Sequence, residues 1–167
     1  MKKHISRREF IKKTTVAGSA AAVMPKMLFS SKSKAKIKLG FIGTGLRGQW
    51  VLSLAMKYPE IDIPAICDID EGMIQKALEI LKKGGRPEPR VYKKDDHDFQ
   101  RMLNSEDLEG VYIGTPWEWH HPMSIAAMKT GAHVGVEVPA AISVSQCWDL
   151  VNVSEKTNKF CMIMENV

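Results

Sequence analysis

Residues 43–48 read Gly43-Thr44-Gly45-Leu46-Arg47-Gly48, a complete G-x-G-x-x-G that follows the apolar run Ile37-Lys38-Leu39-Gly40-Phe41-Ile42. Such spacing serves the binding of a pyrophosphate. Between a strand and a helix, the first glycine allows a tight turn and the second lets a phosphate approach the backbone. The third lets helix and strand pack closely. N–H groups at the helix start, chiefly those of Leu46 and Arg47, then face the anion. Twenty residues beyond Gly48 stands Asp68. A carboxylate there accepts hydrogen bonds from ribose hydroxyls and repels a further phosphate on them, so the expected cofactor is NAD rather than NADP.

A second constellation is Gly114-Thr115-Pro116-Trp117-Glu118-Trp119-His120-His121. Two tryptophans at the end of a strand either stack on a cofactor or sugar ring, or plug the following helix into the sheet. The adjacent histidines lack a carboxylate partner in register, so they suit hydrogen bonding better than metal binding. A third, Gly135-Val136-Glu137-Val138-Pro139, places Glu137 at another strand end, as a site residue or as a carboxylate satisfied by backbone N–H groups. Glu165-Asn166-Val167 follows the last strand. No metal site is expected, and no catalytic residue is placed in this chain.

The elements that must position these groups alternate. Short, consecutively apolar runs at 37–42, 63–67, 110–113, 133–136 and 160–164 suit parallel strands covered on both faces. Helical patterns at 47–57, 71–83, 99–103, 122–130 and 144–157 separate them, with a further short strand around 90–92. Gly84-Gly85 and Gly131 are stop signals, and Ser143 or Ser145 is the N-cap of the last helix. The fold class expected is α/β, a doubly wound parallel sheet, in which ligands bind outside the strand carboxyl ends.

The charge is divided. Residues 1–38 carry eleven Lys/Arg and one Glu, whereas residues 39–167 carry thirteen Lys/Arg and eighteen Asp/Glu. The body is mildly acidic, which excludes a basic face for nucleic acid. Cys67, Cys147 and Cys161 are widely spaced, and Cys67 and Cys161 lie in apolar strand-like runs as small core residues. The N-terminus pairs a basic segment with a weakly apolar stretch, residues 14–24, about half the roughly 20 residues a membrane span needs. Ser6-Arg7-Arg8-Glu9-Phe10-Ile11-Lys12 resembles the twin-arginine export signal in order and spacing. Residues 1–35 are therefore expected to be a signal and linker read by the twin-arginine translocase, with the destination the periplasm. The folded domain is expected over residues 36–167.

Taken together, the leader, GFIGTGLRGQ, PAICDID, GTPWEWHHPM, AAMKTGAHVGVEVPAA and CMIMENV resemble the Gfo/Idh/MocA oxidoreductases. Within them the chain is most similar to the NAD-dependent α-N-acetylgalactosaminidases of glycoside hydrolase family 109. Many dehydrogenases of the wider family carry Glu-Lys-Pro where this chain has Glu137-Val138-Pro139, which favours the glycosidase branch. The resemblance implies NAD contacts at Leu46, Arg47 and Asp68 and along Trp117, Glu118, Trp119 and His120. It places Glu137 and Val138 beside the nicotinamide half, with Asn166 closing the site.

The implied reaction is hydrolysis of terminal α-N-acetylgalactosamine from glycans. A hydride leaves sugar C3, the C2 proton is removed, and the glycosidic oxygen departs by elimination. Water then adds and the hydride returns, so NAD+ is recycled; this is one of the exceptions to the paired-carboxylate scheme. The family's second α/β domain, which carries the sugar pocket, the acid–base residues and any homo-oligomer interface, is expected to be missing from this chain. A sugar oxidoreductase releasing NADH, or a nucleotide-binding fragment without turnover, remains the alternative.

Overall fold

The computed structural model describes residues 36–165. The expected leader and Asn166 lie outside the described residues. In chain order the elements are β1 (Ile37–Ile42), α1 (Leu46–Ala55), β2 (Ile61–Asp62), β3 (Ala65–Cys67), α2 (Glu71–Lys83) and β4 (Arg90–Tyr92). They continue with α3 (Asp98–Ser105), β5 (Gly110–Ile113), α4 (Trp117–Lys129), β6 (His133–Val136), α5 (Val144–Thr157) and β7 (Cys161–Ile163).

All strand pairings are parallel, in the order β4-β3-β1-β5-β6-β7, with β2 beside the start of β1. This is the doubly wound dinucleotide-binding order, reversing direction between β1 and β5. The central strands β1, β3 and β5 feed both cores by alternation. Ile42, Cys67, Val111 and Ile113 face a cluster with Phe99, Met102, Met123 and Ala127, while Phe41, Ile66 and Tyr112 face Leu52, Ile74, Ala77 and Leu81. The unbroken apolar runs are thus strands with two buried faces. Burial pushes the Cys67 thiol up to about 12, in keeping with an inert core residue.

Two elements depart from the sequence reading. The strand expected over 63–67 begins only at Ala65, and a separate two-residue strand, β2, stands ahead of it, with Ile63-Pro64 between them. Pro64 has no N–H for the ladder, although its carbonyl accepts from Arg90 N–H at 2.8 Å. The helix expected to begin at Pro122 begins at Trp117, with Pro116 as N-cap and Pro122 inside it. Proline marks a helix's first turn well, but here it occupies a later position at the cost of one backbone bond.

The N-termini of α2 and α5 are closed by polar side chains. Asp70 Oδ1 accepts from Met73 N–H at 3.0 Å at the start of α2, and Ser143 Oγ accepts from Gln146 N–H at 3.3 Å at the start of α5. Gln146 reaches back to accept from Ile142 N–H at 2.9 Å. Asp98, buried at the start of α3, accepts from Lys94 N–H at 2.9 Å and from Arg101 Nε–H and Nη2–H at 2.6 and 2.8 Å. That carboxylate fastens the loop between β4 and α3. The Arg101 guanidinium holds its pKa down at about 2.

Candidate functional site

The glycine loop lies over the switch point. It is stitched to both neighbours, Gly43 N–H donating to Cys67 O and Gly114 N–H to Ile42 O, each at 2.9 Å. Gly43 has φ +89°, and a Cβ there would lie 2.3 Å from the Gly114 carbonyl oxygen. A Cβ on Gly48 would lie 2.2 Å from the Gly43 oxygen, so this glycine lets α1 close on the loop.

Gly45 is different. Its φ of −62° suits any residue, and a Cβ there would meet no protein atom within 4 Å. Neither backbone conformation nor packing within the protein calls for glycine at this position; close approach of a ligand does. Gly45 is also the N-cap of α1, makes no side-chain cap bond, and no acid stands in the first turn. Unlike α2 and α5, this helix keeps an N-terminus that its own side chains leave to an anion. A pyrophosphate fits there.

Asp68 does two things at once. Its Oδ2 accepts from Thr44 N–H at 2.5 Å and Thr44 Oγ–H at 2.9 Å, and its Oδ1 accepts from Asp70 N–H at 2.9 Å. It therefore fastens the glycine loop, a role the spacing did not reveal, and lone-pair sites remain for ribose hydroxyls. A cavity of about 350 Å³ opens beside it, lined by Gly45, Asp68, Asp95, Asp96, Thr115 and Trp119 among others. Asp95 and Asp96 add further negative charge to the wall of this cavity, which the irregular sequence of residues 86–98 gave no means of foreseeing. Asp68→Ala is expected to weaken NAD+ binding by about tenfold, in the range for hydrogen-bonding groups left unpaired. It should weaken NADP+ binding less; equal losses in calorimetry would remove Asp68 from the ribose site.

The early start of α4 changes the geometry of the tryptophan segment. Consecutive helical residues point about 100° apart, so Trp117, Glu118, Trp119 and His120 cannot all face one cleft. Trp117, 63% exposed, and Glu118 point to solvent. Trp119 is half-buried, lines the cavity, and meets the rings of His97 and Phe99 edge-on at 5.2 and 6.1 Å. His120 is buried, its two ring nitrogens each 2.8 Å from a carbonyl oxygen, one of Thr115 and one of Pro139. It ties the loop after β5 to the loop after β6.

At the end of β6, Glu137 is buried and Val138 is exposed. Glu137 Oε1 accepts from Tyr112 Oη–H at 3.1 Å and Arg47 Nε–H at 2.9 Å. The Arg47 side chain, in the first turn of α1, thus turns to Glu137. Leu46, beside it, is 81% exposed. Sequence reasoning missed Tyr112, which reads as one more core aromatic of β5. A larger groove of about 620 Å³ between α5 and β7, lined by Val138, Leu150, Val151 and Ile163 among others, is mostly apolar and has no glycine-loop residue in its lining. The smaller cavity is where the polar groups converge.

Comparisons with known proteins agree with this geometry. A glycosyl hydrolase family 109 protein of Parabacteroides distasonis is 43% identical over 97% of this chain and 38% of its own length. An alpha-N-acetylgalactosaminidase of Tannerella forsythia is 42% identical over 97% of this chain and 39% of its own length. The chain thus spans about two fifths of the length of these curated relatives. Among solved structures, scyllo-inositol dehydrogenase from Lactobacillus casei, with bound NAD(H) and scyllo-inositol, superposes with a TM-score of 0.66. It is 21% identical over 77% of this chain and 36% of that one, a likeness of fold. The profile of the Gfo/Idh/MocA oxidoreductase family, NAD-binding Rossmann fold, matches residues 37–165. With the glycine loop, the open face at Gly45 and the acid at Asp68 all in place, the chain belongs to that family, and its cofactor is NAD.

Proposed function

We propose that this chain is the cofactor-binding part of a glycosidase that removes terminal α-N-acetylgalactosamine from glycans. The observation that carries the reading is the end of β6, where exposed Val138 follows Glu137. An apolar side chain there gives an ordinary sugar dehydrogenase no proton-transfer group beside the nicotinamide. The names of the two curated relatives support the same branch.

NAD+, when bound, would supply reversible hydride transfer with a sugar carbon. The work of this chain is placement. The first turn of α1 and the open face of Gly45 receive the pyrophosphate. Asp68 takes the ribose hydroxyls, and Asp95 and Asp96 add charge that disfavours a 2′-phosphate. Trp119 covers the adenosine side of the cavity. His120 keeps the loops after β5 and β6 together, and Glu137 offers an acceptor where the nicotinamide half lies.

The test uses the protein in its native length with an aryl α-N-acetylgalactosaminide and one equivalent of NAD+. Aryl alcohol is expected over many turnovers without net NADH absorbance, and in heavy water deuterium should enter C2 of the released sugar. Stoichiometric NADH would move the function to a sugar oxidoreductase. Hydrolysis with an undisturbed C2 proton would remove the elimination step.

A further inference from the structure

One carboxylate oxygen joins three elements around the cofactor cleft. Glu137 Oε1, at the end of β6, accepts from Tyr112 of β5 and from Arg47 of α1, and Oε2 takes neither bond. Tyr112 is 2% exposed, and its ring lies 5.2 Å from that of Phe41 on β1, centroid to centroid. A Cβ on Gly114 would come within 2.7 Å of the Tyr112 hydroxyl, and one on Gly48 within 3.9 Å of its ring. The tyrosine therefore stands beneath the glycine loop and ends at the carboxylate. Arg47, held from below by Glu137, also lies over the Trp50 ring at 4.6 Å.

We propose that Tyr112 is a positioning residue for the dinucleotide. It holds Glu137, Glu137 holds Arg47, and the start of α1 is thereby kept at a set distance from the end of β6. The proposal rests on the NAD site described above.

The physical reason is the length of the ligand. This fold binds one nucleotide half on each side of the switch point, with the pyrophosphate over the α1 N-terminus. Both sets of contacts form together only if α1 and the end of β6 keep the separation the dinucleotide spans. A ligand that uses the α1 side alone does not sense that separation. Burial and the neighbouring Glu137 charge push the Tyr112 hydroxyl above its ordinary range, so at neutral pH it stays a donor. A buried hydrogen bond to a carboxylate is among the stronger ones a side chain makes.

Calorimetry of the full chain with NAD+ and with ADP separates positioning from a merely structural role. Tyr112→Phe keeps the ring and its packing and removes only the donor. Its NAD+ dissociation constant is expected to rise about tenfold while that for ADP stays within about twofold. Glu137→Gln should show the same selectivity, and adding Tyr112→Phe to it should cost no more than about another twofold, because the tyrosine acts through the carboxylate. Equal losses for NAD+ and ADP, or two independent losses that multiply in the double variant, would overturn the positioning role. Failure of the wild-type chain to bind NAD+ would overturn the cofactor site itself, a result distinct from either.

Discussion

Gly45→Asp is expected to abolish cofactor binding while leaving the protein as stable as before or more so. At the N-cap of α1 an aspartate supplies what this helix lacks, a side-chain acceptor for its first N–H groups and a negative charge at its positive end. A Cβ at this position meets nothing within 4 Å, so no packing is disturbed. Unfolding free energy should stay within about 0.5 kcal/mol of wild type or rise. The same carboxylate occupies the place of the pyrophosphate and repels it, so NAD+ affinity should fall by more than about 100-fold, or roughly 2.7 kcal/mol. Gly43→Ala should behave in the opposite way. Its φ of +89° and the 2.3 Å contact with Gly114 O make it costly to the fold, by about 3 kcal/mol. Denaturant titrations and calorimetry on the two variants check the pair. A Gly45→Asp chain that bound NAD+ normally would remove the pyrophosphate from the helix start.

Asp98→Ala should give the larger loss of stability among the polar positions, about 2–3 kcal/mol at pH 7, because it leaves Lys94 N–H without its acceptor and α3 without its acidic first turn. The pH dependence follows from the direction of the shift. Asp98 is held at about 2 in the folded protein, below the ordinary aspartate value. Its stabilisation is fully present above the unfolded pKa of about 3.9 and is lost as pH falls through 2. Denaturation curves of wild type and variant should therefore lie apart at pH 5–7 and converge near pH 2. A constant difference across that window would show that Asp98 acts through packing alone. Because Asp98 anchors the loop carrying Asp95 and Asp96, the variant should also bind NAD+ more weakly.

Sequence alone determined the architecture and the chemistry of the glycine loop. Consecutively apolar runs bounded by helical patterns leave few arrangements other than a covered parallel sheet, and G-x-G-x-x-G followed by Asp68 is a local pattern whose meaning depends only on the strand and helix beside it. Tertiary structure decided the rest. The segment 117–120 reads as a loop of aromatic and polar groups, yet α4 begins there, and helical rotation sends Trp117 outward, Trp119 to the cavity and His120 inward. Thr44 has no marked role in the string of letters, but its N–H and hydroxyl meet Asp68 across the loop. Tyr112 and Glu137 are 25 residues apart on neighbouring strands, and Arg47 is 90 residues from Glu137; only the register of β5 on β6 and the docking of α1 make them one group. Periodicity reports which face of an element is buried. Which side chains from different elements meet is set by crossings that no single stretch of sequence contains.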